Sequence, residues 1–507
     1  MTGKTKKERV QADHPGHKPL SIVVLGASGD LAKKKIFPAL FSLHSQDLLP
    51  ENVHFFGLSR TEFSDEDFRR HLMTNLTCRY VPNESCEARM NAFLSRCYYV
   101  QGEYDSMDAY LELYQRMRER ELSGAGPSAT PATPANRLFY MAIPPFIFMK
   151  VARAIGDSGL VNCGERREGW SRAVIEKPFG HDRASSDDLV RQMASVFSES
   201  QTYRIDHYLG KELIQNVMAL RFANRVFEPL WNREHIESVS VSFSEDFGVE
   251  GRAGYFDKYG IVRDVMQNHL LQILSLLAME RPAKYDSKAI RDEKVRVLRA
   301  VRPLTAGDFV LGQYVAGKIK GQPRPGYKEA KDVAPDSRTP TFAAAVLGVD
   351  NERWRGVPFL LAAGKALESR RADIHIRFRP LAHNIYDDGE LAHNELVIRV
   401  QPDEAILLRI NNKAPGQDLA LAPIELDLRY ARAYPVALPE AYESLLLDVV
   451  VGDKSLFIRS DELAVAWDIF TPALHEIEER RIEPEPYAYG SAGPEAFQSM
   501  RATWRLP

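Results

Sequence analysis

Residues 21–35 read Ser21-Ile-Val-Val-Leu-Gly26-Ala-Ser-Gly29-Asp-Leu-Ala32-Lys-Lys-Lys35, and this stretch decides the fold. Its opening is a short, mostly β-branched run, the composition of a parallel strand buried on both faces. Gly26, Gly29 and Ala32 then form a G-x-x-G-x-x-A pattern, and from 33 to 49 apolar residues recur at helical spacing. A tight turn out of a strand favours a residue without Cβ, and close approach of the backbone to a pyrophosphate favours a second. The helix behind the turn offers free amide hydrogens and positive potential to an anion. Small residues in a turn also arise by chance, so the weight lies in the strand–turn–helix context. Gly26, Ala27, Ser28, Gly29, Asp30, Leu31 and Lys33 are therefore the candidate phosphate-binding residues.

Working outward, strand candidates at 53–57, 98–100, 138–143 and 173–175 alternate with helical stretches, the pattern of a parallel α/β sheet. From about 213 the character changes. Runs at 238–243, 374–378 and 396–400 alternate apolar with polar residues, which signals half-buried antiparallel strands. The expected architecture is α/β plus α+β. A Rossmann-like dinucleotide-binding domain spans 20–212. A larger domain, with a mostly antiparallel sheet covered by helices, spans 213–507 and serves substrate binding and oligomerisation. A basic tail at 1–19 is expected to be disordered. The Pro- and Gly-rich stretches 123–135 and 321–340 read as surface loops.

The chain has 507 residues, 44% apolar, too many for one ordinary core. Its 66 basic and 69 acidic residues leave a net charge of −3, which argues against a dedicated nucleic-acid or membrane-surface binder. No apolar run approaches the roughly 18 residues a membrane span needs. The first 18 residues carry Lys4, Lys6, Lys7, Arg9 and Lys18 without the apolar core of a secretory signal. Four cysteines (Cys78, Cys86, Cys97, Cys163) are too few for a disulfide scaffold and lack zinc-ligand spacing. A reducing, cytoplasmic compartment and no metal are the expectations.

Two features bear on the dinucleotide. NAD sites place an acidic residue at the end of the second strand, whereas here that position carries Ser59-Arg60. Arg60, with Lys33 and its neighbours, suits a 2′-phosphate and points to NADP. The densest polar cluster is Arg204-Ile-Asp206-His207-Tyr208-Leu-Gly210-Lys211-Glu212, where His207, Tyr208 and Lys211 can converge on an anion. A second cluster, Arg263-Asp264-Val-Met-Gln267-Asn268-His269, opens a run that is apolar almost all round and so belongs to a buried helix. Buried Asp264 and His269 must each find a partner. On an ordinary α-helix, residues five apart diverge by roughly 140°, so Asp264 is not expected to orient His269. Asp206 is a candidate partner, and a satisfied core histidine is the alternative. Glu176-Lys177-Pro178-Phe179-Gly180 ends a strand, where Lys177 lies at the ligand crevice or in an ordinary turn.

From about Leu20 to Pro507 the sequence resembles the glucose-6-phosphate dehydrogenase family. The carriers are GASGDLAKKK, EKPFG, RIDHYLGKE, RFANRVFEPLWNR, GYFDKYGIVRDVMQNHLL, NERWRGVPF, GKALESR, ELVIRVQP and SDELAVAWDIFTP. The resemblance implies oxidation of glucose 6-phosphate at C1 with hydride transfer to NADP⁺, feeding the pentose phosphate pathway, in a homodimer or homotetramer. It implies His269 as general base oriented by Asp206, with His207, Tyr208 and Lys211 on the 6-phosphate. Lys177, Glu245, Asp264, Lys365, Arg370 and Gln401 match sugar-phosphate positions; Arg60, Tyr140 and Lys177 match cofactor positions. Some members hold a second, structural NADP. Where they carry arginine this chain has Ala362, His375 and Ala492, and Leu407 replaces a tyrosine, so that site is expected to be absent or weak. Two other readings are a sugar oxidoreductase of the glucose–fructose type, whose substrates need no phosphate, and a non-catalytic NADP-responsive binding protein.

Overall fold

The computed structural model describes residues 5–13, 18–124, 134–161, 169–386 and 391–503. The opening stretch forms β1 (Leu20–Leu25), buried at every residue. Around it lie β2 (Val53–Ser59), β3 (Cys97–Gln101), β4 (Asn136–Met141), β5 (Ser171–Ile175) and β6 (Thr202–Ile205). They pair in parallel in the order β3-β2-β1-β4-β5-β6. The chain order reverses between β1 and β4, and doubly wound sheets bind ligands beyond the strand ends at such a point.

The second sheet runs, edge to edge, Leu421–Arg429, Ala405–Lys413, Glu395–Gln401, Arg371–Phe378, β7 (Ile236–Ser244), Pro358–Gly364, Phe342–Gly348, Phe309–Val315 and Glu485–Ala488. Among the described residues, only β7 with Pro358–Gly364 and Phe309–Val315 with Glu485–Ala488 pair in parallel. Leu361 and Ile374 flank Val241 on either side, and all three are buried. The apolar run Val262–Leu270 and Leu271–Ala278 packs on this sheet, as a helix without a polar face must.

Four expectations need correction. The tail is not wholly disordered: Lys6–Asp13 is helical, Val10 is buried, and Lys6 pairs with the buried Asp448 at 2.6 Å. A buried carboxylate needs a partner, and the tail's lysine supplies it. The boundary at 212/213 cuts the first sheet, because Phe457–Ile458 pairs antiparallel with β6. The Ala441–Val451 and Ser460–Glu479 helices also pack on the first domain's helices. The stretch 321–340 is no free loop, since Tyr327 is fully buried and its hydroxyl donates to Asp257 at 2.7 Å. Cys78 and Cys86 are joined in a disulfide, while Cys97 is a buried free thiol and Cys163 lies outside the described residues. Most of the stretch 123–135 also lies outside them.

Candidate active site

The turn after β1 is shaped for close approach. Gly26 adopts φ +83°, and a Cβ there would sit 2.3 Å from the Ala142 carbonyl oxygen beyond β4. Only glycine fits. Ala27 is fully buried against Gly57 of β2, and the Gly29 amide donates back to the Gly26 carbonyl at 3.0 Å. The following segment is a wide π-helical turn, Ala32–Ile36, before the Phe37–Ser45 helix. At the end of β2, Ser59 and Thr61 each donate to the Ser28 hydroxyl at 2.9 Å. Arg60 is exposed, its guanidinium 5.7 Å from the Tyr104 ring, and neither it nor Lys33 is in an ion pair. Asp30 is instead held by Lys34 at 2.9 Å. A cradle closed to any side chain, with unpaired cations beside it and no carboxylate in the 59–61 turn, fits a dinucleotide bearing a 2′-phosphate. Tyr140 does not line the cradle: it is fully buried and its hydroxyl donates to Glu176.

The ends of β5 and β6 carry the chemistry. Asp206, just beyond β6, is buried at 2% exposure; its Oδ1 accepts from His269 Nδ1 at 2.6 Å and from the Tyr208 amide at 2.9 Å. Burial would raise the Asp206 carboxyl, but the neighbouring His269 and His207 and the Tyr208 amide outweigh it and hold it at about 2. An ionised carboxylate only accepts, so Nδ1 is the protonated ring nitrogen and Nε2 the basic one. Nε2 makes no hydrogen bond among the described residues. Burial pushes the His269 imidazole below its ordinary value, opposed by Asp206, which keeps it neutral near pH 7. The Tyr208 ring stacks on His269 at 4.6 Å, and His207 meets it edge-on at 4.7 Å.

The segment carrying His269 departs from an α-helix. Val262–Leu270 is π-helical, with hydrogen bonds reaching five residues along. That register brings the fifth residue back over the first, so Asp264 and His269 share a side instead of diverging. They still have separate partners, as buried polar groups require: Asp264 takes Lys177 at 3.1 Å and His269 takes Asp206. Burial would raise Asp264 too, but Lys177 and Lys365 hold it at about 2.

The remaining sugar-phosphate positions gather round this pair. Lys365 pairs with Glu245 above the Phe256 ring. Lys211 donates to Gln401 Oε1 at 2.9 Å, and its ammonium lies 5.0 Å from the Tyr208 ring centre. Arg370 stands exposed by Phe247, close enough to Tyr208 and Lys211 to act on both electrostatically. Lys177 and Lys365 are ion-paired, whereas Lys211 and Arg370 are in no ion pair. Burial pushes the Lys211 ammonium down, a cost that a bound phosphate relieves. His207→Ala or Lys211→Ala is accordingly expected to raise KM for a phosphorylated substrate about 10- to 100-fold, with kcat within about threefold; steady-state kinetics check this. Asp206, His207 and His269 also set their donor atoms within 4.8 Å of one another. The 2.6 Å bond inside that trio marks it as a proton-transfer pair.

Sequence reasoning missed two residues here. Glu176 is buried and accepts from Tyr140 and Tyr442, and Tyr442 stacks on His207. Glu176 was visible only as part of its motif, and Tyr442 stands alone at the start of a helix with no local signal.

Comparison with known proteins agrees with this geometry. A family model described as the NAD binding domain of glucose-6-phosphate dehydrogenase matches residues 23–216, and one for the C-terminal domain of the same family matches 218–505. The chloroplastic glucose-6-phosphate 1-dehydrogenase of Solanum tuberosum is 52% identical, over 94% of this chain and 82% of that one. The cytoplasmic glucose-6-phosphate 1-dehydrogenase 6 of Arabidopsis thaliana is 48% identical, over 95% and 90%. A solved glucose-6-phosphate dehydrogenase in complex with its substrate glucose-6-phosphate superposes with a TM-score of 0.88 at 43% identity, covering 97% of this chain and 98% of that one.

Proposed function

This chain belongs to the glucose-6-phosphate dehydrogenase family, and from that premise we propose how its residues carry the reaction. The enzyme oxidises glucose 6-phosphate at C1 to 6-phosphoglucono-1,5-lactone with NADP⁺, supplying NADPH in the oxidative pentose phosphate pathway. His269 Nε2 takes the C1 hydroxyl proton. Asp206 fixes the tautomer through Nδ1 and stabilises the imidazolium that forms. Lys211, Arg370, His207 and Tyr208 grip the phosphate, while Lys177, Asp264, Glu245, Lys365 and Gln401 orient the sugar. Gly26 to Leu31 and Lys33 hold the dinucleotide, with Arg60 at its 2′-phosphate; NADP⁺, when bound, accepts the hydride. The observation that carries this reading is the buried Asp206–His269 pair beside two unpaired cations.

Turnover of glucose 6-phosphate against glucose, followed as NADPH absorbance, tests it. Rapid reduction with the phosphorylated sugar alone supports the reading. Equal rates would favour the glucose–fructose type of oxidoreductase, and no reduction with any sugar phosphate a binding protein.

The second dinucleotide site is proposed to be absent or weak. Arg371 and Arg399 both face Asp373, His375 pairs with Glu395, and Ala362 and Leu407 are buried without polar groups. A titration is expected to saturate at one tight NADP per chain, and two would overturn this. A homodimer or homotetramer is supported by the edge strand Leu421–Arg429, which exposes Ile424, Leu426 and Leu428. Among the described residues no helix is long and apolar enough to cross a membrane. For the compartment we propose the cytoplasm, with the cytoplasmic Arabidopsis relative in support and the chloroplastic relatives against.

A further inference from the structure

The phosphate grip and the sugar grip come from different strand ends, β6 and β5, yet they must stand at a fixed separation to place C1 at His269. One side chain touches both. Tyr442, in the first turn of the Ala441–Val451 helix, lies with its ring nearly parallel to His207, 6.0 Å between centres at 11°. Its hydroxyl is hydrogen-bonded to Glu176, the buried residue immediately before Lys177. Glu176 also accepts from Tyr140 of β4, so two tyrosines fix one carboxyl. Lys177 in turn donates to the Asp264 carbonyl and carboxylate on the π-helical turn that bears His269.

The approach of this helix is close. A Cβ on Gly210, in the phosphate-binding turn, would lie 2.5 Å from the Ala441 carbonyl oxygen. Glycine at 210 thus lets the helix bring Tyr442 against His207. The opposite edge of the same helix is held by the N-terminal segment through Lys6 and Asp448.

We infer that Tyr442 is a positioning residue for the reaction, its ring setting His207 at the phosphate and its hydroxyl setting Glu176, and through it Lys177, at the sugar. The inference rests on His207 being a phosphate ligand. It does not touch the reacting atoms itself; it acts through the two residues it holds. Its two halves separate by substitution. Tyr442→Phe keeps the ring and removes the hydroxyl, whereas Tyr442→Leu removes both.

Steady-state kinetics on the full chain with both substrates, alongside thermal midpoints and the His207→Ala variant, tests the inference. Tyr442→Phe is expected to lower kcat about tenfold with KM for glucose 6-phosphate within about twofold, the loss of one hydrogen bond to a buried carboxyl. Tyr442→Leu is expected to add a rise of about tenfold in that KM, with KM for NADP⁺ little changed. Identical constants for the two variants would overturn the ring's part, and an unchanged kcat in Tyr442→Phe the hydroxyl's. Activity lost only in proportion to a lowered midpoint, with wild-type constants for the folded fraction, would make the residue purely structural and overturn both. If Tyr442→Leu does not fold, kcat of Tyr442→Phe decides. Should His207→Ala leave KM for glucose 6-phosphate unchanged, the phosphate assignment fails. If His207→Ala raises that KM and Tyr442→Leu does not, the role of Tyr442 fails alone.

Discussion

Asparagine in place of His269 is expected to lower kcat by about 10³-fold while leaving KM for glucose 6-phosphate within about threefold. The reason is a separation of roles visible in the site. His269 spends Nδ1 on Asp206 and keeps Nε2 for the reacting hydroxyl, and the phosphate-binding groups lie elsewhere. Asparagine can still bond to Asp206, so the buried carboxylate is not orphaned, which would otherwise cost about 1–3 kcal/mol. What disappears is the basic nitrogen. Normal turnover with weakened substrate affinity would reassign His269 to binding.

The second large effect falls on Asp206. Asp206→Asn keeps the shape but removes the charge, and kcat is expected to fall by about 10²–10³-fold because tautomer control and imidazolium stabilisation go together. The pH profile gives the sign. His269 must be neutral to accept a proton, so its protonation produces the acid limb of kcat/KM. Burial pushes that imidazole down and the Asp206 charge pulls it up. The wild-type limb assigned to His269 therefore lies below its ordinary value of 6.5. Removing the carboxylate leaves burial unopposed, and the limb moves to lower pH. A limb that stays or rises, measured across pH 4–8 as about the range where the enzyme and imidazole both titrate, would mean that Asp206 does not act on His269.

How much of this was readable beforehand follows from how local each requirement is. The β1 turn announced itself because a glycine at positive φ, a second glycine and a small helix residue are needed within seven positions. The clusters around Asp206 and His269 were legible as groups of polar residues in odd places, one of them on a greasy helix. Their partnership spans 63 positions, so residue types made Asp206 a candidate and only folding made it a neighbour. The helical-wheel estimate for Asp264 and His269 failed because hydrogen bonds reaching five residues leave no mark in an apolar pattern. Phe457–Ile458, a strand of two residues, is too short to alternate. Tyr442 shows the limit best: its importance lies in two contacts, both made by residues more than 200 positions away in the chain. The tail's helix likewise depends on Asp448, far along the chain.

The central claim is that one imidazole nitrogen, kept basic by a buried carboxylate, receives the C1 proton. A crystal structure of this protein with glucose 6-phosphate bound measures it directly. His269 Nε2 is expected within hydrogen-bond distance of the C1 hydroxyl, about 2.6–3.2 Å, with the phosphate on Lys211 and Arg370. A C1 hydroxyl held by another side chain, with Nε2 out of reach, would contradict it.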